Sequence, residues 1–358
     1  MRIYFSDNIL KVALFSTSVH PSVRRFSSEF PAITMSKFPV TSTVSQFIDG
    51  FQIPAFFNAE TFRSALAYKP RDDDLFIVTY PKCGTTWTQH ILVLIFRLGQ
   101  PIESEIELWS ASPFLDMAGV SAAEEMPRPN AIKFHLPYHL VPKSDKVKYI
   151  YVTRNPKDCC VSYFHHMRNI PEHEFNGTFD EFFEFFIAGK VDYGDYFDHV
   201  LSWYAHRNDP NVLFLTYEEM KKDIRSAILK MASFIDDAAY AEPLRKDPEI
   251  LNNIVKFSSF DYMKKTVNKS MEELRSLSKE EIMNSTLPRE LKKMFGASAT
   301  PKQEQDYTKK DDNAHFVRKG IVGGWKNYFS DEQSKRMDKK FAEKLKGTDL
   351  EVLWKDSM

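Results

Sequence analysis

A chain of 358 residues with a 43% apolar fraction is long enough for one large α/β domain and rich enough in core residues to argue against global disorder. The formal net charge of -1 provides no general basic field, which disfavours nucleic acid as a partner and requires any anion site to be built locally from a few cations and backbone N–H groups. Three cysteines (Cys83, Cys159 and Cys160) make no disulfide framework, and with the ten histidines they show no metal-ligand spacing, so reduced thiols, a cytoplasmic setting and no metal are expected.

No apolar run reaches the roughly 18–20 residues that span a bilayer; the longest, Ile91–Phe96, suits a buried helix and no membrane association is expected. Residues 1–35 carry Arg2, Lys11, Arg24 and Arg25 against Asp7 and Glu29, with scattered serines, which resembles a weak organelle transit peptide. The simpler reading is an extension outside the fold, or Met35 as the working initiator, with residues 36–358 forming a single domain.

Leu75–Tyr80 follows the charged break Arg71–Asp74 as a short apolar, β-rich run and predicts a buried strand. Pro81 and Gly84 interrupt it, and from Thr85 apolar residues at three- and four-residue spacings (Trp87, Ile91, Leu94, Ile95, Leu98) predict a helix closed by Gly99 and Pro101. Lys148–Thr153 predicts a second strand, after which Asn155 caps and Pro156 opens a helix reaching about Arg168. Aromatic-rich helices are expected at Asp180–Ile187 and Asp195–His206. Val212–Thr216 then predicts a third strand, followed by one helix over Tyr217–Phe234. Strands separated by helices imply a parallel sheet covered on both faces, an α/β three-layer fold. Residues 265–314 are polar and charged and read as a long, partly helical excursion, either a lid or a solvated insertion, with order returning at Phe316 and a charged surface helix at Asp331–Lys346.

The turn Tyr80-Pro81-Lys82-Cys83-Gly84-Thr85-Thr86-Trp87 leaves a parallel strand and opens a helix, so its backbone N–H groups converge on one spot. Lys82 adds a point charge, Gly84 close approach, and Thr85 and Thr86 hydroxyl donors. The G-x-x-x-x-G-K-[ST] order of a P-loop is absent, and by itself the turn is either a phosphate cradle or a helix cap. Lys133 and His135 alternate on a short β segment and share a face; alone, His135 would be read as a structural residue.

As a whole octapeptide, the turn resembles the 5′-phosphosulfate loop of the cytosolic sulfotransferase family, in which serine commonly stands at the place of Cys83. The resemblance continues in order from about Phe51 to Trp354. It implies a P-loop-like fold and, as donor, 3′-phosphoadenosine 5′-phosphosulfate (PAPS), leaving PAP. Ala131–Pro137 is similar to the family's K-x-H-L-P stretch, which implies His135 as the general base and Lys133 as a cationic helper. Tyr151–Tyr163 resembles the 3′-phosphate segment, with Arg154 and Ser162 as ligands. Thr216–Met220 places Tyr217 near the adenine. Ser258–Met263 offers Ser258, Met263 and Phe260, the last opposite Trp87, which could equally be core. Phe316–Lys326 resembles R-K-G-x-x-G-D-W-K and brings Arg318, Lys319 and Gly320 to the 3′-phosphate.

Four departures stand out. Gly324 occupies a place where the family usually has aspartate. The family's dimer motif, expected from Lys326, is degraded at Ser330, Asp331 and Lys335, so a family-type homodimer is in doubt. The 265–314 excursion and the N-terminal extension are both unusual.

The expected chemistry is in-line sulfonate transfer to the hydroxyl or amine of a small molecule, in which Lys82 stabilises the departing phosphate oxygen. Phe134, Tyr138, Phe164 and the Phe182–Phe186 run suit a phenol, phenolic monoamine or hydroxysteroid acceptor, or are simply core. The rival readings are a nucleotide kinase, disfavoured because the P-loop order it would need is not seen, a non-catalytic binder of hydroxylated ligands, and a Golgi-type carbohydrate sulfotransferase, disfavoured because the signal anchor and disulfides expected of it are not seen.

Overall fold

The structure is a computed structural model and describes residues 45–298, 317–355, 357 and 358. The expectations for residues 1–35, for 299–314 and for Phe316 lie outside the described residues.

Six strands are present among the described residues. β1 (Ser45–Ile48) and β2 (Phe51–Pro54) form an antiparallel hairpin. β3 (Leu75–Thr79), β4 (Ala131–Phe134), β5 (Lys148–Thr153) and β6 (Val212–Thr216) form an all-parallel sheet in the order β4-β3-β5-β6. The two-residue period of a strand gives this sheet two cores. Phe76, Val78, Ile132, Phe134, Tyr149 and Tyr151 point to one face, where they meet Phe62, Ala118 and Trp203. Leu75, Ile77, Ala131, Ile150, Val152, Leu213 and Leu215 point to the other, where Ile91, Leu92, Leu94 and Ile95 of the helix Thr85–Phe96 pack with Ile228 and Met231. Helices on both faces of a parallel sheet make the expected three-layer α/β fold.

Local signals place the helix ends. Gly84 opens Thr85–Phe96, and the chain leaves that helix through Leu98 and Gly99, both at positive φ, with the Gly99 N–H donating to Leu94 O at 2.8 Å. The side chain of Asn155 caps Pro156–Asn169 by accepting from the Asp158 N–H at 2.8 Å. A capping box of Thr178 and Glu181 starts Phe179–Ile187, and Asp195 caps Tyr196–Tyr204. The single helix expected over Tyr217–Phe234 is instead two, Tyr217–Lys222 and Ile224–Asp236. Asp223 breaks it because its carboxylate accepts from the Ser226 N–H, so it starts a new helix rather than continuing the old one.

The described part of the polar excursion is helical: Phe260–Ser276, Lys279–Asn284 and Arg289–Ser298 follow one another. Their buried side chains, Leu274, Ile282 and Leu291, belong to a surface that looks back onto the body of the fold. No helix among the described residues is long and apolar enough to cross a membrane.

Candidate active site

A cavity of about 1480 Å³ opens at the carboxyl ends of β3, β4 and β5 and receives one segment from each. Ligands in open α/β sheets bind at this edge because successive strand-to-helix turns all point there.

The turn after β3 forms its floor. Lys82 and Gly84 adopt positive φ (71° and 101°), which curls the backbone so that the first turn of Thr85–Phe96 faces the cavity. Gly84 supplies no side-chain cap, which leaves the first helical N–H groups available to an anion. A Cβ on Gly84 would lie 3.0 Å from Tyr217 Cδ2, so only glycine fits without displacing that ring. Burial, together with Lys133 and Arg154 nearby, lowers the Lys82 ammonium to about 7.

The end of β4 and the residue after it bring Lys133 and His135 to the cavity. The backbone N–H of His135 donates to Asp116 Oδ2 at 2.9 Å, and its ring Nδ1 lies 2.8 Å from the Thr79 carbonyl. A carbonyl only accepts, so Nδ1 carries the proton and Nε2 keeps its lone pair. Burial, reinforced by Lys133, holds the imidazole well below its usual range and therefore neutral. Lys133 sits with Nζ 4.0 Å from the centre of the Phe114 ring, and burial lowers it to about 8. Lys133 and His135 both line the cavity, as their shared strand face requires.

A cluster of cations lies beside the turn. Arg154 follows β5, with its guanidinium 4.4 Å from the Tyr217 ring and Nη2 donating to Ile321 O at 2.9 Å. Arg154 Nε and Arg318 Nη1 are buried without a hydrogen-bond partner among the described residues. Two unsatisfied guanidinium donors on one cavity wall are what a phosphate would complete. Lys319, Gly320 and Ser162 line the same wall. Gly320 has φ +60°, and a Cβ there would stand 2.3 Å from Phe260 Cδ2. Asp158 holds this loop in place by accepting from the Gly323 N–H (2.7 Å) and the Trp325 N–H (3.0 Å), support that the glycine at 324 does not itself give.

Trp87, Tyr217, Ser258, Phe260 and Met263 line the adjoining aromatic recess. Trp87 meets Tyr217 edge-on at 5.3 Å, and its Nε1–H donates to Ser258 O at 2.9 Å. The phosphate wall, the N–H cradle and this flat recess together fit the parts of PAPS.

Four expected site residues and the Phe182–Phe186 run point elsewhere. Phe134 lies between Lys133 and His135 on the strand, so its side chain faces the opposite core and meets Phe76 at 5.1 Å. Phe164 is buried among Phe175, Phe179 and Phe182, and the Phe182–Phe186 run packs into the same cluster. Cys83 is turned inward, its Sγ 3.7 Å from Cys159 Sγ, so it shapes the turn from behind. Tyr138 stacks on His206, away from the cavity lining. The aromatic lining is supplied by Phe56, Phe57, Trp109, Phe114, Tyr193 and Phe295. Also unforeseen are Thr79, which orients His135, and Asp116, which burial raises to about 7 and whose carboxylate faces the Tyr193 hydroxyl.

The chain belongs to the sulfotransferase family, in its cytosolic branch: the sulfotransferase domain profile matches residues 72–310 and 290–349. It is a PAPS-dependent sulfotransferase. It is 37% identical over 294 residues to the amine sulfotransferase of Oryctolagus cuniculus, covering 80% of this chain and 85% of that one. It is 34% identical over 296 residues to sulfotransferase 1E1 of Cavia porcellus, covering 80% and 88%. Among solved structures, mouse sulfotransferase SULT7A1 complexed with PAP superposes with a TM-score of 0.64 at 30% identity, covering 88% of this chain and 98% of that one. Retinol dehydratase, solved with androsterone and PAP, gives 0.61 at 25% identity, covering 84% and 88%.

Proposed function

We propose that the protein transfers the sulfonate group of PAPS to the hydroxyl, or amine, of a small aromatic or steroid-like acceptor, with His135 as general base. The observation that carries this reading is the His135 tautomer. Its Nδ1–H is committed to the Thr79 carbonyl, and a neutral Nε2 is left for the acceptor proton.

PAPS supplies the activated sulfonate. Lys82 and the N–H groups of the Gly84–Trp87 turn hold the 5′-phosphate and offset the charge that grows on its departing oxygen. Lys133, on the same strand face as His135, offsets charge on the transferring group. Arg154, Ser162, Arg318, Lys319 and the backbone at Gly320 hold the 3′-phosphate, while Trp87, Tyr217, Phe260, Ser258 and Met263 enclose the adenine. His135 accepts the acceptor's proton as its oxygen attacks sulfur.

A phenol or phenolic monoamine suits the aromatic lining best; a hydroxysteroid is the second reading, favoured by the size of the cavity and its apolar helical roof. The test is a panel of simple phenols, phenolic amines and hydroxysteroids with radiolabelled donor, run on the protein and on His135→Ala. The substitution is expected to lower kcat about a thousandfold while leaving PAP affinity within about twofold. No turnover with any acceptor, or full activity in His135→Ala, would overturn the reading.

A further inference from the structure

On the acceptor side of the cavity a second histidine is backed by a buried acid. His173 ends the short 3-10 turn Pro171–His173 and lines the cavity. Its Nδ1 faces Asp192 Oδ2 at 3.6 Å. Asp192 is fully buried. Its Oδ1 accepts from the Ser45 hydroxyl at 2.6 Å, whereas Oδ2 and His173 Nδ1 make no ordinary hydrogen bond among the described residues. Asp192 immediately precedes Tyr193, whose ring packs on the His135 ring at 5.3 Å, so the pair stands beside the proton-accepting group without being part of it. Phe56 meets the His173 ring edge-on at 5.2 Å and fixes its plane. Glu172 adds a carboxylate at the exposed rim of the same corner.

We propose that His173 and Asp192 form an ammonium-binding dyad that selects acceptors carrying a protonated amine apart from the hydroxyl that is sulfonated. The inference rests on the sulfonate-transfer reading above and gives its acceptor a charge. With Nδ1 turned to Asp192, Nε2 lies on the other edge of the ring, which meets the His166 ring at 5.2 Å where His173 lines the cavity. Nε2 then accepts from the ammonium, while the carboxylate behind it supplies the compensating charge. Burial raises Asp192 to about 7 and lowers His173 to about 4, so the imidazole enters neutral and an approaching cation favours the ionised carboxylate. Lys82 and Lys133 line the same cavity and oppose a cation in the empty site. Bound donor phosphates would offset the charge of Lys82 and leave the Asp192 carboxylate to favour the cation. The lysines alone would favour an anionic acceptor, so the two fields predict opposite orders.

Tyramine, 4-ethylphenol and 4-hydroxyphenylacetate present one phenol with a cationic, neutral or anionic tail, and their O-sulfated products are measured with the full chain and PAPS. The kcat/KM for tyramine is expected to exceed that for 4-ethylphenol about tenfold, with 4-hydroxyphenylacetate lowest. In Asp192→Asn and in His173→Leu, each confirmed to bind PAP, the tyramine to 4-ethylphenol ratio is expected to fall to about one. His173→Leu carries the test if the buried Asp192→Asn does not fold. A ratio of one or below in the unsubstituted protein, or a ratio preserved in both variants, overturns the dyad alone. Turnover of none of the three by protein that binds PAP overturns the phenolic acceptor, and the dyad with it.

Discussion

At its donor end the cavity is made from short segments far apart in sequence: the turn after β3, Arg154 after β5, and the irregular loop at Arg318–Gly320. Each brings a cation or a backbone N–H to a fixed point. At its acceptor end it is roofed by three consecutive helices, Phe260–Ser276, Lys279–Asn284 and Arg289–Ser298, which contribute Met271, Leu274, Ile282, Leu291, Met294 and Phe295. A phosphate demands directional donors and tolerates little displacement. An apolar acceptor demands only a dry surface of suitable shape, which many side chains can supply. The two ends nevertheless share a joint: Asn268 on the roof exchanges two hydrogen bonds with the Val317 backbone (3.2 and 3.0 Å), one residue before Arg318.

The largest effect at the donor end is expected from Arg154→Ala. It removes a buried guanidinium that the proposed 3′-phosphate would satisfy, and should raise the PAP Kd about a hundredfold by calorimetry. Acceptor KM at saturating donor should stay within about twofold, and an equal loss at both ends would break the separation between them. The next effect is in pH. In its proposed role Lys82 binds the phosphate as the ammonium, and it stands at about 7 in the free protein, so kcat/KM for PAPS should fall on the order of tenfold between about pH 7 and about pH 8.5. The sign follows from the charge: the protonated form is present below the pKa and lost above it. Lys82→Arg, charged throughout, should move that limb to higher pH even where the rate is lower. Because His135 is held neutral well below its ordinary range, no matching acid limb is expected near pH 6. A smaller donor effect, a rise of about fivefold in PAP Kd, is expected for Gly320→Ala. Its Cβ at positive φ must push Phe260 aside.

Legibility in the sequence divided along the same line. The Lys82–Trp87 turn and Arg154 follow strands of five or six residues that announce themselves, whereas Lys133 with His135 and Arg318–Gly320 were legible only through the resemblance of their motifs to the sulfotransferase family. Phe134 and Phe164 were misplaced because composition does not say which way an aromatic ring points. For Phe134 the alternation that joins Lys133 to His135 already excluded it, and that signal was available. Asp192 and His173 were beyond reach. Their meeting depends on the 3-10 turn at Pro171–His173 and on Tyr193 at φ 67°, and neither leaves a mark in the spacing of residues. The break at Asp223 was readable in principle, since an aspartate followed three residues later by Ser226 is a cap signal as much as a helix interior.

The smallest effect belongs to the roof and asks whether it is a binding surface or only a cover. Phe295 stacks on Trp109 at 5.5 Å with planes 25° apart, and the Ser110 hydroxyl donates to Thr286 O at 2.8 Å, so the roof is fastened to the body of the fold at neighbouring points on one helix. Phe295→Ala removes the ring and leaves the hydrogen bond. If the roof contributes acceptor contact, acceptor KM should rise about threefold, the worth of one half-exposed aromatic pair, with kcat and PAP Kd unchanged. If the roof is only a cover held in place by that stack, its loosening should instead speed product release and raise kcat together with KM. The ratio kcat/KM separates the two: it falls in the first case and holds in the second.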